Sequence, residues 1–419
     1  MPAHDLVSRW RPWIVCLAAS LFFFYEFIQG NMFASIANEV MRDFHVQADK
    51  MTYLSSIYYA SNVLFLFFSG QILDRFSVKK TLLLAMLLCV SSTFVLALTH
   101  SFTVALWCRF VTGIGSAFCF LGPIRIASVW FMPKRMAFVT GVVVTMAMTG
   151  GMLAQYPLTK LVSWLGFRHS LFCVGWLGLF LWSIMWIFVE DRPKKQTKIA
   201  TITCSFAARV QQTYLNPKIL SAAMYTSLMN MSIAVFGAVM GSLYLMQRLD
   251  VTKEQAAMVN SMLFLGVILG GPLVGLFSDK LGQRLLPMKI GTIASMITLA
   301  LILFADVSLG YMCVLFFLLG FFTSSQVIGY ALVAESSSTL MTATALSVVS
   351  ILTQAGYIFY QNIFSRLLLW YGDMHIVAGV PVYSLRDYQT AAMILPVGLL
   401  LAFVAMIPLK ETYCRQEIR

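Results

Sequence analysis

One acidic residue lies in the middle of a long apolar stretch near the start of the sequence. Residues 22–31 read Phe-Phe-Phe-Tyr-Glu-Phe-Ile-Gln-Gly-Asn, and they belong to a run long enough to cross a bilayer. An ionisable side chain at bilayer depth costs several kcal/mol, so a residue of this kind usually has a function. Glu26 is therefore a candidate for binding and releasing a proton within the membrane.

The composition is that of a membrane protein along the whole length. Of 419 residues, 59% are hydrophobic and 11% are charged, against about 25% charged residues in soluble proteins. The formal net charge is +12, but the basic residues stand in short loops between apolar runs, which argues against nucleic acid as a partner. The eight cysteines show no CxxC or Cys/His spacing, so we expect no disulfide framework, no metal site and no cofactor.

Apolar runs of about 20 residues, the length of a transmembrane helix, recur twelve times. They exceed the length of a transmembrane strand and lack strict alternation, which predicts an all-α membrane protein. The predicted spans are roughly 12–35, 52–73, 81–98, 103–128, 137–158, 169–189, 219–246, 255–278, 287–305, 309–333, 341–369 and 388–409.

The basic residues predict the orientation of the chain. With the N-terminus inside, the inner segments hold 19 of the 29 Lys and Arg residues and the outer loops hold 8, while Arg109 and Arg125 lie within span 4. An excess of Lys and Arg marks the cytoplasmic side. We expect both termini in the cytoplasm and the chain in a bacterial inner membrane, as a monomer with the lipid bilayer as its surroundings.

The longest inner loop divides the spans into two groups of six. This basic loop, residues 191–217, is the predicted linker between an N-terminal half, residues 1–190, and a C-terminal half, residues 218–419. Its charge suits cytoplasmic orientation and anionic lipid headgroups.

The loop after span 2 is repeated after span 8. Each copy contains Gly, three further residues, Asp and a cation: Gly70, Asp74 and Arg75 in the first, and Gly275, Asp279 and Lys280 in the second. Matching loops half a chain apart indicate two parallel six-helix repeats related by an axis normal to the membrane.

These motifs resemble those of the major facilitator superfamily of secondary transporters over the whole chain. Residues 70–80 are similar to its signature loop, although Ser77 replaces the usual Gly. The pattern Arg109-x-x-x-Gly113-x-Gly115 is similar to its span 4 signature. The resemblance implies two pseudo-symmetric six-helix halves, with spans 1, 4, 7 and 10 around a central cavity. Residues 22–31, Arg125 and residues 130–133 are also similar to nutrient and siderophore transporters of intracellular bacterial pathogens.

The repeated loops are candidates for gating. Gly70, Asp74, Arg75, Asp279 and Lys280 lie at predicted helix ends, where carboxylates cap helix N-termini and pair with cations. They either stabilise one access state by pairing across the halves or simply anchor the loops.

Arg109 is the predicted partner of Glu26. By helical rise, both lie on the outer side of the bilayer midplane, and a long Arg side chain spans the remaining distance. The prediction is a charge pair for proton coupling, or a contact with substrate; the alternative is an anchor bonded to backbone carbonyls. Arg125 points to a different face of span 4, where it either attracts anionic substrate at the inner mouth or meets lipid phosphate.

Other polar side chains within the spans are candidates for substrate contacts. The alternative for each is a hydrogen bond between helices, the commoner use of amides in membranes. The candidates, together with Arg125, are Tyr25, Gln29, Asn230, Gln326, Tyr330, Gln354, Tyr357 and Gln361.

The sequence thus predicts a secondary active transporter that works by alternating access between its halves. We expect proton-coupled uptake of a small polar metabolite, an amino acid or an organic anion. The alternative within the superfamily is export or import of a siderophore or a drug-like compound. No GxxxxGK[ST] or HExxH motif occurs, so an ATP-driven pump and an intramembrane metalloenzyme are disfavoured, and we predict no catalytic residues. A transporter-like receptor or channel is the remaining class.

Overall fold

The chain folds into twelve helical spans, as the apolar runs predict. The computed structural model describes residues 3–46, 48–131, 136–191, 216–337, 342–371, 375–377 and 380–414. In the N-terminal half the helices are Ala3–Asn31 and Phe33–Asp43 (span 1), Ala48–Arg75 (span 2), Val78–Leu98 (span 3), Phe102–Ser116 and Leu121–Trp130 (span 4), Met136–Leu153 and Tyr156–Leu165 (span 5), and Phe167–Phe188 (span 6).

The C-terminal half repeats this order. Its helices are Pro217–Met229, the π-helix Ile233–Met240 and Gly241–Leu249 (span 7), Lys253–Leu281 (span 8), Leu285–Phe304 (span 9), Leu309–Thr323 and Gln326–Glu335 (span 10), Thr342–Tyr371 (span 11), and Leu385–Ala392 and Ile394–Ala405 (span 12). Between spans 11 and 12 a short antiparallel hairpin pairs His375–Val377 with Val380–Val382, in the register His375 to Val382.

Nine spans in the described part are long and apolar enough to cross a membrane by composition alone. Spans 2, 7 and 11 fall outside that group. Span 7 is interrupted by its π-helix, and all three carry polar side chains that face the centre of the molecule rather than lipid. Polar residues of this kind are tolerated when they face a cavity or a neighbouring helix.

Spans 4 and 10 break at matching points of the repeat. Span 4 turns between Ser116 and Leu121, and span 10 turns between Thr323 and Gln326. At each break a serine hydroxyl bonds back to a carbonyl three residues earlier: Ser116 to Gly113 at 2.9 Å, and Ser324 to Phe321 at 2.6 Å. Such bonds compete with the helical ladder and bend the helix.

Each half has its own hydrophobic core. One core consists almost entirely of residues from spans 1–6, and the other mainly of residues from spans 7–12. Tyr58, Tyr59 and Met148 of the N-terminal spans join the second core, and Ile351 of span 11 joins the first. Most of the predicted linker, residues 192–215, lies outside the described residues.

Two carboxylates cap corresponding helices at the face of the molecule that carries the chain termini, which we call the termini face. After span 6, Asp191 accepts from the Lys79 backbone N–H at 2.7 Å and from the Ser77 hydroxyl at 2.6 Å, at the start of span 3. After span 12, Glu411 accepts from the backbone N–H groups of Arg284 and Leu285 at 2.7 and 2.9 Å, at the start of span 9. An acidic group at a helix N-terminus satisfies otherwise unpaired donors and complements the helix dipole.

Candidate functional site

A cavity of about 90 Å³ lies between the two halves. Spans 1, 2, 4 and 5 line it from the N-terminal half, and spans 7, 10 and 11 from the C-terminal half. Aromatic rings make up much of its wall: Phe23, Phe27, Tyr58, Tyr59, Phe120, Tyr330 and Tyr357. The central location predicted for spans 1, 4, 7 and 10 therefore agrees with the lining residues.

Glu26 lines this cavity and is buried, with 1% of its surface exposed. Its Oε2 accepts a hydrogen bond from the Tyr58 hydroxyl at 3.1 Å. Its Oε1 is buried and has no hydrogen-bond partner within the described part of the chain. One oxygen is thus fixed by span 2, and the other is available to a proton or a ligand.

Arg109 lies behind Tyr58 and makes no direct ion pair with Glu26. Its guanidinium stacks on the Tyr58 ring at 4.4 Å and on the Phe33 ring at 4.8 Å, and its Nε donates to the Leu54 carbonyl at 3.2 Å. Arg109 does not line the cavity. The predicted direct pair is therefore replaced by an indirect link, because Tyr58 contacts the guanidinium with its ring and the carboxylate with its hydroxyl.

Five predicted substrate-binding residues do line the cavity: Asn230, Gln326, Tyr330, Gln354 and Tyr357. Asn230 donates to the carbonyl of Thr226 in its own helix at 3.0 Å. The rings of Tyr330 and Tyr357 pack against aromatic residues of the other half, Phe120 at 5.9 Å and Tyr59 at 5.1 Å. These aromatic contacts bring the halves together around the cavity.

Tyr25 and Gln29, which were predicted as substrate-binding residues, do not line the cavity. The Gln29 amide donates to Thr93 in span 3 at 2.9 Å and to the Tyr25 hydroxyl at 3.1 Å. Both side chains are buried inside the N-terminal half. Gln29 lies three residues after Glu26, which sets the two side chains about 60° apart around the axis of span 1. Gln29 therefore meets span 3, whereas Glu26 faces the cavity.

Arg125 and Gln361 also lie away from the cavity lining. Arg125 is exposed on the second helix of span 4. Gln361 is buried and bonds helices together, because its amide donates to the Ala234 carbonyl at 3.0 Å and its oxygen accepts from Ser55 at 3.3 Å. For Gln361 the structure favours the helix-to-helix alternative over a substrate contact.

The second gating loop pairs within its own half. Asp279 accepts from the Arg284 guanidinium at 2.6 Å, and Arg284 also bonds Glu335 of span 10 at 2.7 Å. Burial opposes the charge on Arg284, but the hydrogen bonds and charges of Glu335 and Asp279 outweigh it and raise the pKa of Arg284. Asp279 therefore pairs here with Arg284, five residues later in the same half, and not across the halves.

The other predicted gating residues are less constrained. Gly70 and Arg75 are exposed at the end of span 2, and Lys280 is exposed at the end of span 8. The side chain of Asp74 lies outside the described residues. The helix capping predicted for these loop acids is instead performed by Asp191 and Glu411.

Many of the residues that line the cavity were missing from the predicted site, among them Asn31, Tyr58 and Tyr59. The tyrosines at 58 and 59 carry the same polar signal as Tyr330 and Tyr357, which were predicted. Asn31 is the last residue of the stretch 22–31 that contains Glu26, and it follows Glu26 by five residues. Asn62 lies one helical turn after Tyr58, on the same face of span 2.

Polar contacts join the halves at the face opposite the termini. Gln155 of span 5 donates to the Gly237 carbonyl at 2.8 Å and accepts from Asn260 of span 8 at 2.9 Å. Lys253 of span 8 pairs with Glu39 of span 1 at 2.8 Å. Gly237 belongs to the π-helix of span 7, whose irregular hydrogen bonding leaves carbonyls available to side chains.

We expect Gln155→Leu to weaken this closure. The variant leaves the Gly237 carbonyl without its side-chain partner and removes one of the two acceptors of the Asn260 amide. An unsatisfied buried polar group costs about 1–3 kcal/mol. A cysteine introduced at Ser56, next to the interface, should then react about tenfold faster with a membrane-impermeant maleimide in a background without native cysteines. Thr149→Val is the matched control, because its hydroxyl bonds only within span 5. Equal rates in both variants would contradict the role of Gln155.

Comparison with known proteins agrees with this architecture. A model described as Major Facilitator Superfamily matches residues 15–235 and again residues 220–413. The chain belongs to the Major Facilitator Superfamily. Among solved structures, this superfamily member is similar to a bacterial homologue of the human lysosomal transporter Spinster in an inward-facing, unoccupied conformation. That match has a TM-score of 0.67 and 16% identity over 94% of this chain and 96% of the other.

Sequence relatives of this superfamily member are distant. An uncharacterized protein of Campylobacter jejuni is 29% identical over 40% of this chain and 51% of its own length. The hexuronate transporter of Bacillus subtilis is 24% identical over 42% of each chain. The lysosomal dipeptide transporter MFSD1 of Mus musculus is 23% identical over 71% of this chain and 66% of its own length. The chain spans about half the length of the first two relatives.

Proposed function

We propose that this superfamily member is a secondary active transporter that imports a small polar metabolite together with protons. Support for transport comes from the family match and from a central cavity built by both halves. Alternating access requires a site between two bodies that can rock around it. The cavity meets that requirement, because spans of both halves contribute to its wall.

The observation that carries proton coupling is the environment of Glu26. Among the residues described as lining the cavity, Glu26 is the one acidic side chain. One oxygen is held by Tyr58 and the other has no partner, so the group can be protonated without breaking an ion pair. Protonation at a site that also faces substrate links proton movement to substrate movement.

The proposed import includes a state that is open to the cytoplasm and closed to the outside. The excess of basic residues supports a cytoplasmic location for the termini face, and the contacts of Gln155 and Lys253 close the opposite face, which is then the outer one. The structure then corresponds to a state closed to the outside. Its similarity to an inward-facing structural neighbour supports that assignment.

A small substrate fits the cavity better than a siderophore does. Sites for drug-sized ligands have volumes of about 300–1,000 Å³, whereas this cavity measures about 90 Å³. Named relatives carry hexuronate and dipeptides, which are small and polar. We therefore favour a small polar metabolite over the siderophore or drug-like alternative.

Proton cotransport can be measured directly with the wild-type protein. Proteoliposomes containing a trapped pH dye receive, in separate samples, L-amino acids, dipeptides or galacturonate. We expect at least one class to acidify the lumen, and a protonophore to abolish its accumulation. Entry of a labelled compound without any acidification would refute proton coupling and would indicate facilitated diffusion or exchange.

A further inference from the structure

The cavity wall presents hydrogen-bond acceptors that have no donor. Five buried carboxylate or amide oxygens in the described part of the chain lack a partner, and four of them belong to residues that line this cavity. Buried oxygens without donors are rare and costly, so each needs an explanation. The four are Glu26 Oε1, Asn31 Oδ1, Asn62 Oδ1 and Gln326 Oε1.

The hydrogen bonds around two of these amides fix which atom is the oxygen. The Asn31 amide nitrogen donates to the Phe27 carbonyl at 2.8 Å. The Asn62 amide nitrogen donates to the Ser116 oxygen, because the Ser116 hydroxyl itself donates to the Gly113 carbonyl at 2.9 Å. Turning the Asn31 amide over would set its oxygen against the Phe27 carbonyl oxygen, and turning the Asn62 amide over would draw the Ser116 hydroxyl away from the Gly113 carbonyl. The unpaired atoms are therefore acceptors, and a donor from a bound ligand or from water in the cavity satisfies them.

No Lys or Arg is among the described residues that line the cavity. Arg109, the nearest buried cation, stacks between Phe33 and Tyr58, outside the lining. When Glu26 is ionised, no cation of the described lining complements its charge, and a cationic ligand would supply one. The rings around the cavity add to this preference, because aromatic faces attract organic cations by about 0.5–2 kcal/mol.

We propose that the cavity recognises the ammonium group of a small amine-bearing metabolite, such as an amino acid. The ammonium presents three donors and a positive charge, which match the Glu26 carboxylate and the amide oxygens of Asn31 and Asn62. An organic anion would instead face unpaired oxygens without a lining cation. This proposal rests on the proposed function in one respect: the cavity is taken to be the transport site.

The test is a thermal-shift measurement on the purified full-length protein. The probes are the common L-amino acids, their N-acetyl derivatives, the corresponding 2-hydroxy acids, and galacturonate. A ligand that binds the folded state raises its melting temperature by mass action. We expect at least one amino acid to give a shift, with its N-acetyl and 2-hydroxy counterparts giving none, because these lack the ammonium.

Variants locate the bound ammonium. Asn31→Leu and Asn62→Leu each remove one acceptor and should weaken the apparent affinity about tenfold, the usual loss for a hydrogen bond to a charged group. Gln29→Leu removes a buried amide that does not line the cavity and should leave the affinity unchanged. Each shift is referred to the melting temperature of the same variant without ligand, so a loss of stability does not mimic a loss of binding.

Three outcomes overturn the proposal. The first is that no amine-bearing probe raises the melting temperature, and the second is that an N-acetyl derivative or galacturonate raises it as much as any amine. The third is that Gln29→Leu weakens binding as much as Asn31→Leu and Asn62→Leu. Failure here is separable from failure of the proposed function. Proton-coupled uptake of galacturonate would refute the ammonium site and keep the transporter, whereas amine binding without lumen acidification would do the reverse.

Discussion

Replacement of Glu26 by Gln should abolish accumulation driven by a pH gradient, while exchange of labelled for unlabelled substrate continues at saturating concentration. Each pH unit of gradient is worth about 1.4 kcal/mol, or a tenfold accumulation, for one coupled proton. Gln keeps the shape and still accepts from Tyr58 but cannot bind a proton. We therefore expect the accumulation ratio in proteoliposomes to fall from about tenfold per pH unit to about one.

The exchange assay separates coupling from binding and folding. If Glu26 also holds an ammonium, the variant needs more substrate for half-maximal exchange, but exchange still occurs at saturation. Glu190→Gln is the matched control, because it removes a carboxylate that pairs with Arg11 at the termini face, far from the cavity. Unchanged pH-driven accumulation in Glu26→Gln, or equal loss in Glu190→Gln, would refute the assignment of Glu26.

Tyr58 provides a second probe of the same site. Tyr58→Phe retains the ring that stacks on Arg109 but removes the hydroxyl that bonds Glu26. The variant therefore removes the contact of Tyr58 with Glu26 and keeps its contact with Arg109. A change in the pH dependence of transport in this variant would show that the hydroxyl tunes Glu26.

The spans and their repetition could be predicted because they follow from composition. Apolar runs of bilayer length and a duplicated Gly-Asp loop are local patterns, and twelve helices in two halves follow from them. The breaks could not be predicted in the same way. Span 7 contains a π-helix with three carbonyls that accept hydrogen bonds from side chains of other spans. The donors come from span 11 to Ala234, from span 8 to Phe236 and from span 5 to Gly237. Those partners are distant in sequence.

The candidate site was predicted in part, because the cost of burying a polar group depends on its type and on its hydrogen-bond partners. Glu26 was identifiable because a carboxylate in an apolar run is costly wherever it points. For an amide the cost depends on its partners, which the sequence does not show. Gln29 and Gln361 are satisfied by neighbouring helices, whereas Asn31 and Asn62 keep one oxygen each without a donor. Only the packed structure separates these cases.

Spans 8 and 10 pack so closely that their glycines contact backbone atoms of the facing helix. A Cβ added at Gly266 would overlap the carbonyl oxygen of Phe317, and one added at Gly320 would overlap that of Leu263. In membranes small residues allow this approach, and close van der Waals packing drives the association of helices. The obstacle in each case is a backbone carbonyl within a helix, which cannot turn aside as a flexible side chain can.

Gly266→Ala should therefore sharply reduce the yield of folded protein, by a destabilisation of about 1–3 kcal/mol or more. Gly271 lies five residues along the same helix, where an added Cβ meets no heavy atom within 4 Å. Gly271→Ala should be neutral or slightly stabilising, because alanine is the better helix former by about 1 kcal/mol. Size-exclusion profiles and melting temperatures in detergent compare the two variants. Equal behaviour would mean that spans 8 and 10 can separate without cost, which contradicts close packing as the source of stability in this half.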